Sequence, residues 1–173
     1  MFETKVISKE SKDLHHVIEL YKNSFPVKEQ RNIDIIFFDK TGMIEVLAFY
    51  DKNHFCGFAC TLIHLDICYT IYLAIEDALR GKGYGSIVLK EIALRYPDKR
   101  ILLDIEVEDE NAHNNIERIK RKNFYLKNGY NELQIYSNWR DVKFEALSLN
   151  GYISDKEYND FWLYIETNTQ GLV

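Results

Sequence analysis

The chain has two prolines, Pro26 and Pro97, and only eight glycines in 173 residues. It has no stretch rich in Gly, Pro or Ser, no internal repeat and no low-complexity segment. That excludes a linker-joined or fibrous organisation and predicts one domain over residues 1–173. No run approaches the roughly 20 apolar residues of a membrane-spanning helix. The opening MFETKVISKE has no apolar stretch of the kind a secretory signal needs. A basic excess is missing too. The net charge is -5, whereas a general nucleic-acid binder presents a strongly basic face. Cysteine is scarce, and three of them, an odd number without a secretory context, fit a reducing, cytoplasmic setting. The expected partners therefore exclude nucleic acid and membrane, while a homo-oligomer is allowed.

The cysteines pose a second question, because His54, Cys56, Cys60, His64 and Cys68 lie close in sequence. Their surroundings, HFCGFACTLIHLDICYTIYLAI, are rich in β-branched and aromatic residues and read as strand. Residues four apart on a strand are separated by roughly 13 Å, whereas zinc ligands stand within about 2.3 Å of the ion. One strand cannot gather them, so the cysteines are expected as small apolar core residues and no metal is expected.

What is abundant is apolar and aromatic. Hydrophobic residues make up 46%, enough for a sizeable core. TKVIS (Thr4–Ser8) predicts a first strand. A helix follows with Ser11 as N-cap and Leu14, Val17, Ile18 and Tyr21 at helical spacing, ended by Pro26. Residues 28–40 predict a second helix. MIEVLAFY and FCGFACTLIHLD predict a hairpin closed by DKN, and CYTIYLAI (Cys68–Ile75) a further strand. A helix over Tyr84–Tyr96 carries the stripe Val88, Leu89, Ile92, Ala93 and Tyr96, and Pro97 ends it. ILLDIEV is a strand, and NIERIKRKNFYLKNGY a helix stopped at Gly129. NELQIYSNW and VKFEALSL are late strands. Ser154 and Glu157 form a capping-box pattern ahead of Tyr158, Phe161, Trp162 and Ile165. The order predicts a mixed α/β fold: a mostly antiparallel central sheet, one right-handed parallel strand–helix–strand crossover, and helices on both faces.

The most informative stretch is LRGKGYGS, Leu79–Ser86. Alternate glycines remove the Cβ atoms that would hold a ligand away. Successive N–H groups running into a helix start favour an anion. The phosphate-loop consensus is absent, which excludes that class of nucleoside-triphosphatase. A dinucleotide fingerprint would place Gly81, Gly83 and Ser86 at its three glycine positions. Ser86 departs from its third position, however, and EDALR separates the loop from its strand.

The segment YLAIEDALRGKGYGSIVLKEIA resembles motif A of the GNAT superfamily, the acetyl-CoA-dependent N-acetyltransferases. Arg80-x-x-Gly83-x-Gly85 matches its signature, and FYLKNGY (Phe124–Tyr130) resembles the end of its motif B. The likeness is firm from about Met43 to Asn131. It implies that N–H groups over Arg80, Gly81, Lys82, Gly83, Tyr84, Gly85 and Ser86 hold the coenzyme A pyrophosphate. It implies that main-chain groups of Leu73 and Ile75 pair with the pantetheine amides, and that their strand splays from ILLDIEV to admit the cofactor. Where motif B often carries a cofactor-touching Asn, this chain has Arg118, with Asn114 and Asn115 nearby.

The same resemblance implies N-acetyl transfer from acetyl-CoA to a primary amine, small-molecule or peptide, by direct attack. Tyr125 would be the general acid, since a phenol is protonated at neutral pH. ILLDIEV and the residues after it put Asp104, Glu106 and Glu108 on one strand face. That face either lines the acceptor cleft, drawing in a cation, with Glu106 the best single candidate for the base, or is simply solvated. Glu29, Arg31 and Trp139 are candidates for the acceptor side. His15 and His16 read as a solvated face. The competing class is a non-catalytic acyl-CoA-binding or regulatory domain of the same fold.

Overall fold

A computed structural model describes residues 1–37, 39, 41–169 and 172 of the chain. Seven strands form one sheet in the order β1-β2-β3-β4-β5-β7-β6. β1 (Phe2–Val6), β2 (Ile44–Asp51), β3 (His54–His64) and β4 (Ile67–Ile75) form an antiparallel meander. β5 (Arg100–Glu106) joins β4 as the single parallel pair, and β6 (Asn131–Trp139) and β7 (Val142–Leu149) close the far edge as an antiparallel hairpin. The mixed sheet with one crossover is the architecture the order of elements predicts.

Two apolar layers sandwich the sheet. On one face α1 (Leu14–Ser24), α2 (Ile33–Phe37) and α5 (Asp155–Asn168) bury Val17, Tyr21, Phe37, Phe161 and Ile165 against Phe58, Cys60, Leu62 and Leu102. On the other, α3 (Tyr84–Arg95) and α4 (Asn115–Lys127) cover Ala59, Cys68, Ile101, Leu103 and Ile105. The central strands β2 to β5 are buried on both faces, which explains their near-continuous hydrophobic runs. Cys60 and Cys68 sit in opposite layers, and burial pushes the Cys68 thiol up to about 12.

Local signals set several boundaries. Ser154 and Glu157 make the reciprocal capping box, with the Ser154 N–H donating to Glu157 Oε2 at 2.9 Å. Gly129, at φ 88°, ends α4 in the left-handed conformation a glycine tolerates.

Three expectations need correction. β1 runs Phe2–Val6 instead of Thr4–Ser8. Asp13, not Ser11, is the N-cap of α1, because the Ser11 hydroxyl accepts from the Ser8 N–H at 2.8 Å and holds a turn ahead of the helix. The single helix expected over residues 28–40 is a 3-10 turn (Val27–Glu29) and the short α2. Between them Tyr21 intrudes: its hydroxyl accepts from the Arg31 N–H at 2.7 Å, taking a backbone donor that a helix would have used. Positions 38 and 40 of that expectation lie outside the described residues.

Candidate active site

The site arises where the parallel pair comes apart. β4 and β5 are paired only at Ile67↔Arg100, Cys68↔Ile101 and Tyr69↔Leu102. β4 continues to Ile75 and β5 to Glu106 without pairing, so the two strands form a fork. A bulge helps to open it. β3 pairs Cys60 with Tyr72 but Thr61 with Thr70, leaving Ile71 as the extra residue on β4. The Glu76 N–H donates to Cys56 O on β3 at 2.9 Å. By strand alternation the main-chain groups of Leu73 and Ile75 face the fork. A cavity of about 930 Å³ fills it.

At the open end of the fork a 3-10 turn (Asp77–Leu79) leads into the glycine loop. Gly81 and Gly83 have φ of 73° and 88°, a region that penalises a side chain, and a Cβ on either would meet nothing within 4 Å. The space above them is free for a ligand. Gly85 serves a different end, since a Cβ there would come 3.0 Å from the Phe124 ring and push α3 off α4. Tyr84 and Gly85 open α3, and their N–H groups have no helical acceptor.

Not every residue of the loop is equally available. The Arg80 N–H is used by Asp77 O at 3.2 Å, and the Ser86 N–H by Gly83 O at 3.1 Å. The Arg80 guanidinium folds back onto Ile75 O (3.2 Å) and Asp77 (2.8 Å). The Tyr84 hydroxyl donates to Asp51 at 3.0 Å. The Lys82 side chain takes no part in the cavity wall, whereas Arg80, Gly81, Gly83, Gly85 and Ser86 line it.

Tyr125 comes from α4 on the α3/α4 side and lines the cavity, its ring against Phe124 and Tyr130 at 5.2 and 5.4 Å between centroids. Burial raises the phenol above its ordinary value, with Arg121 opposing, so the hydroxyl carries its proton at neutral pH.

The acidic residues of β5 separate into three situations. Asp104 points to the α1/α2/α5 side, where it meets Tyr158, whereas Glu106 at the strand end meets α4; both line the cavity, while Glu108 lies beyond the strand and is exposed. Glu106 is buried, and both its oxygens are engaged. Arg118 Nη2 stands 2.9 Å from Oε1, and Arg121 Nη1 3.0 Å from Oε2. The Asn114 amide donates to Oε2 at 3.3 Å. Arg118 also donates to Asn114 Oδ1 (2.9 Å) and Val107 O (2.8 Å). The position where motif B often has its Asn thus faces a carboxylate, and Asn114 joins the same cluster.

Among the described residues Asp104 has no cationic partner at bonding distance. Its Oδ2 accepts from the Tyr158 hydroxyl at 2.7 Å and from the Tyr69 hydroxyl at 3.2 Å, while Oδ1 is buried with no hydrogen-bond partner. Burial raises its pKa from 3.8 to about 6, against the lowering effect of the two phenols and of Arg31.

The opposite wall comes from the segment after α1, from β6 and from α5. Phe25, Glu29, Arg31, Trp139 and Trp162 line it. The guanidinium groups of Arg31 and Arg140 lie 4.3 and 4.2 Å from the Trp139 ring centroid, so Trp139 is a cleft wall braced by two cations. Arg31 Nη1 also donates to the Tyr72 hydroxyl at 3.4 Å. Burial, with Glu106 nearby, raises the pKa of Glu29. His15 and His16 sit on the exposed face of α1, away from the cavity.

The site is thus a sheet forked beside a glycine loop, with a tyrosine lining the fork. A family model for the acetyltransferase (GNAT) domain matches residues 43–132, just over half of the chain. The chain belongs to the GNAT acetyltransferase family and is an acyltransferase by that membership. A search of curated protein sequences finds no match.

Solved structures share the fold. One, a protein from Bacteroides thetaiotaomicron assigned to the GNAT acetyltransferases, superposes with a TM-score of 0.80 at 21% identity, covering 99% of both chains. An aminoglycoside 6'-N-acetyltransferase complexed with coenzyme A gives 0.63 at 12% identity over 85% of this chain and 96% of that one. Arabidopsis thaliana Naa50, in complex with a bisubstrate analogue of coenzyme A and a peptide, gives 0.58 at 20% identity over 86% and 99%. Among the described residues no helix is long and apolar enough to cross a membrane.

Proposed function

We propose that the chain acts as one acetyltransferase domain that moves an acetyl group from acetyl-CoA to a primary amine by direct attack. The observation that carries this reading is the fork itself. One continuous cavity joins Gly81 and Gly83, at the end of β4, to Tyr125 and to the β5 carboxylates. The pyrophosphate is assigned to the free N–H groups of the glycine loop and of the start of α3, where the helix end adds partial positive charge. The pantetheine arm is assigned to the fork, pairing with Leu73 and Ile75 in the place of the strand contacts that β5 gives up. This orientation carries the thioester past Leu73 toward the closed end.

There Tyr125 donates its proton to the leaving thiolate. Its raised pKa supports an acid that stays protonated until the C–S bond breaks. Glu106 is assigned to hold Arg118 and Arg121 in the wall, because both its oxygens are already engaged by their guanidinium groups. Three free, buried cysteines, none lining the cavity, suit a route without an acyl-enzyme and a reducing, cytoplasmic setting. The lining carboxylates Glu29, Asp104 and Glu166, which unlike Glu106 are not paired with an arginine among the described residues, favour a cationic acceptor.

The open acceptor side speaks against a purely acyl-CoA-binding module. The test is a panel of polyamine, aminoglycoside, amino-acid and peptide amines with acetyl-CoA, following release of free thiol. Turnover of at least one amine is expected. Cofactor binding with no turnover of any would favour the binding module.

A further inference from the structure

Asp104 is a half-buried carboxylate held by two phenols. It forms no ion pair, and its two phenol partners come from elements distant in sequence, Tyr69 on β4 and Tyr158 on α5. Both donate to Oδ2, which fixes the plane of the carboxylate and leaves Oδ1 without a donor. The residue is only half-buried and lines the cavity, although Oδ1 itself is withdrawn from bulk water. Oδ1 is therefore the acceptor that the fold leaves unused, on a residue that lines the cavity.

The position in the fork says which group. Asp104 lies two residues past Leu102, the last residue of β5 paired with β4, on the face turned to α1, α2 and α5. With the cofactor placed as above, this is beyond the thioester and on the side away from α3 and α4. The rings of Tyr69 and Trp162, in edge contact at 4.8 Å, and the Tyr158 ring wall the place. Glu106, on the same strand, is already matched by Arg118 and Arg121.

We propose that Asp104, oriented by the Tyr69 and Tyr158 hydroxyls, receives the acceptor as an ammonium ion and takes its proton before attack. This rests on the acetyltransferase reading. The acceptor is then a cationic primary amine that enters charged. The ammonium gives one proton to Asp104. The neutral nitrogen forms the C–N bond to the thioester carbonyl carbon and the C–S bond breaks. The thiolate takes the Tyr125 proton, and the proton lost by the new amide nitrogen restores Tyr125 through water. The net products are the amide, free coenzyme A and one proton, which leaves Asp104 for solvent.

The groups facing Asp104 set its working range. They are the Tyr69 phenol from β4, the Tyr158 phenol from α5 and the Arg31 guanidinium from the segment after α1, while Glu106, two residues on along β5, is paired with Arg118 and Arg121 of α4. Burial, opposed by the two phenols and Arg31, puts the carboxylate near 6, close to the value a base at neutral pH needs.

The experiment measures kcat/KM against pH for the best amine of the panel, with wild type and Asp104→Asn, alongside thermal stabilisation of both by coenzyme A. In wild type the rate should be level from about pH 6 to the pKa of the free amine, because the bound ammonium is deprotonated in place. In Asp104→Asn only the neutral amine in solution can react. Its rate should be lower by roughly 10² at pH 7 and rise about tenfold per pH unit toward the amine's pKa. Coenzyme A should stabilise both proteins equally. Asp104→Asn within about threefold of wild type, or the same pH profile in both, overturns the assignment. So does a wild type that coenzyme A stabilises but that acetylates no cationic amine. If coenzyme A stabilises neither protein, the acetyltransferase reading itself falls.

Discussion

Arg118 Nη2 lies 2.9 Å from Glu106 Oε1, with both side chains nearly withdrawn from solvent. Arg121 reaches the other carboxylate oxygen from one helical turn further along α4. The pair ties the end of β5 to α4, which carries Tyr125. Removing one partner of such a pair leaves a buried charge uncompensated. Glu106→Gln is expected to lower stability by about 2–4 kcal/mol, measured by urea unfolding. The pH dependence of kcat/KM should keep its wild-type shape, because the carboxylate that takes the proton is still present. Disappearance of the acid limb in Glu106→Gln would instead make Glu106 the base.

Tyr125→Phe keeps the ring and its contacts with Phe124 and Tyr130. If the hydroxyl protonates the leaving thiolate, kcat should fall by roughly 10² or more, with the KM for acetyl-CoA little changed. Steady-state kinetics with the best amine decides it. A rate within about twofold of wild type, with single-turnover chemistry also unchanged, would assign the proton to water.

Gly83→Asp tests the loop. The position has φ 88°, and a Cβ would project into free space, so the substitution adds backbone strain and a negative charge where the pyrophosphate is assigned. Coenzyme A should raise the melting temperature of wild type and leave that of Gly83→Asp unmoved. NAD and ATP should act much less on wild type. Equal stabilisation by NAD would reopen the dinucleotide reading.

Asp104 predicts a stability effect of opposite sign to most core substitutions. Its folded pKa, about 6, stands above the ordinary 3.8. Below about pH 4 the carboxyl is neutral in both folded and unfolded chains, and no penalty exists. As pH rises toward 6 the unfolded chain ionises first, so stability is lost; above 6 the loss is constant. Asp104→Asn should therefore be more stable than wild type by about 1–3 kcal/mol at pH 7.5, and gain nothing at pH 3.5. Urea unfolding at the two pH values checks this. A gain at pH 7.5 together with a loss of turnover would mark a site kept for activity at some expense of stability.

What could be read from the sequence was local. The capping box at Ser154 and Glu157, the stop at Gly129 and the glycine loop each depend on residues within a few positions of one another, and all three stand in the fold as expected. The acidic alternation of β5 was also legible, but its meaning was not. Asp104 and Glu106 differ only through partners set by tertiary packing: Tyr158 is 54 positions from Asp104, and Arg121 is 15 from Glu106. No periodicity encodes that Tyr158 from α5 meets Asp104. The split of the second helix has the same origin, since the hydroxyl that takes the Arg31 N–H belongs to Tyr21.

The join between the two halves of the sheet is three residue pairs long, Ile67–Tyr69 against Arg100–Leu102. Four strands stand on one side of it and three on the other. Mechanically this is a tongs: two stiff jaws with one narrow pivot, whose opening sets the width of the gap. A cofactor lying between the jaws and bonded to the β4 jaw acts as a wedge that limits their travel. Amide hydrogens on both jaws facing the gap, at Leu73 and Ile75 and at Asp104 and Glu106, should then slow their exchange together when coenzyme A is bound. Those at the outer strands β1 and β6, far from the pivot, should hardly respond.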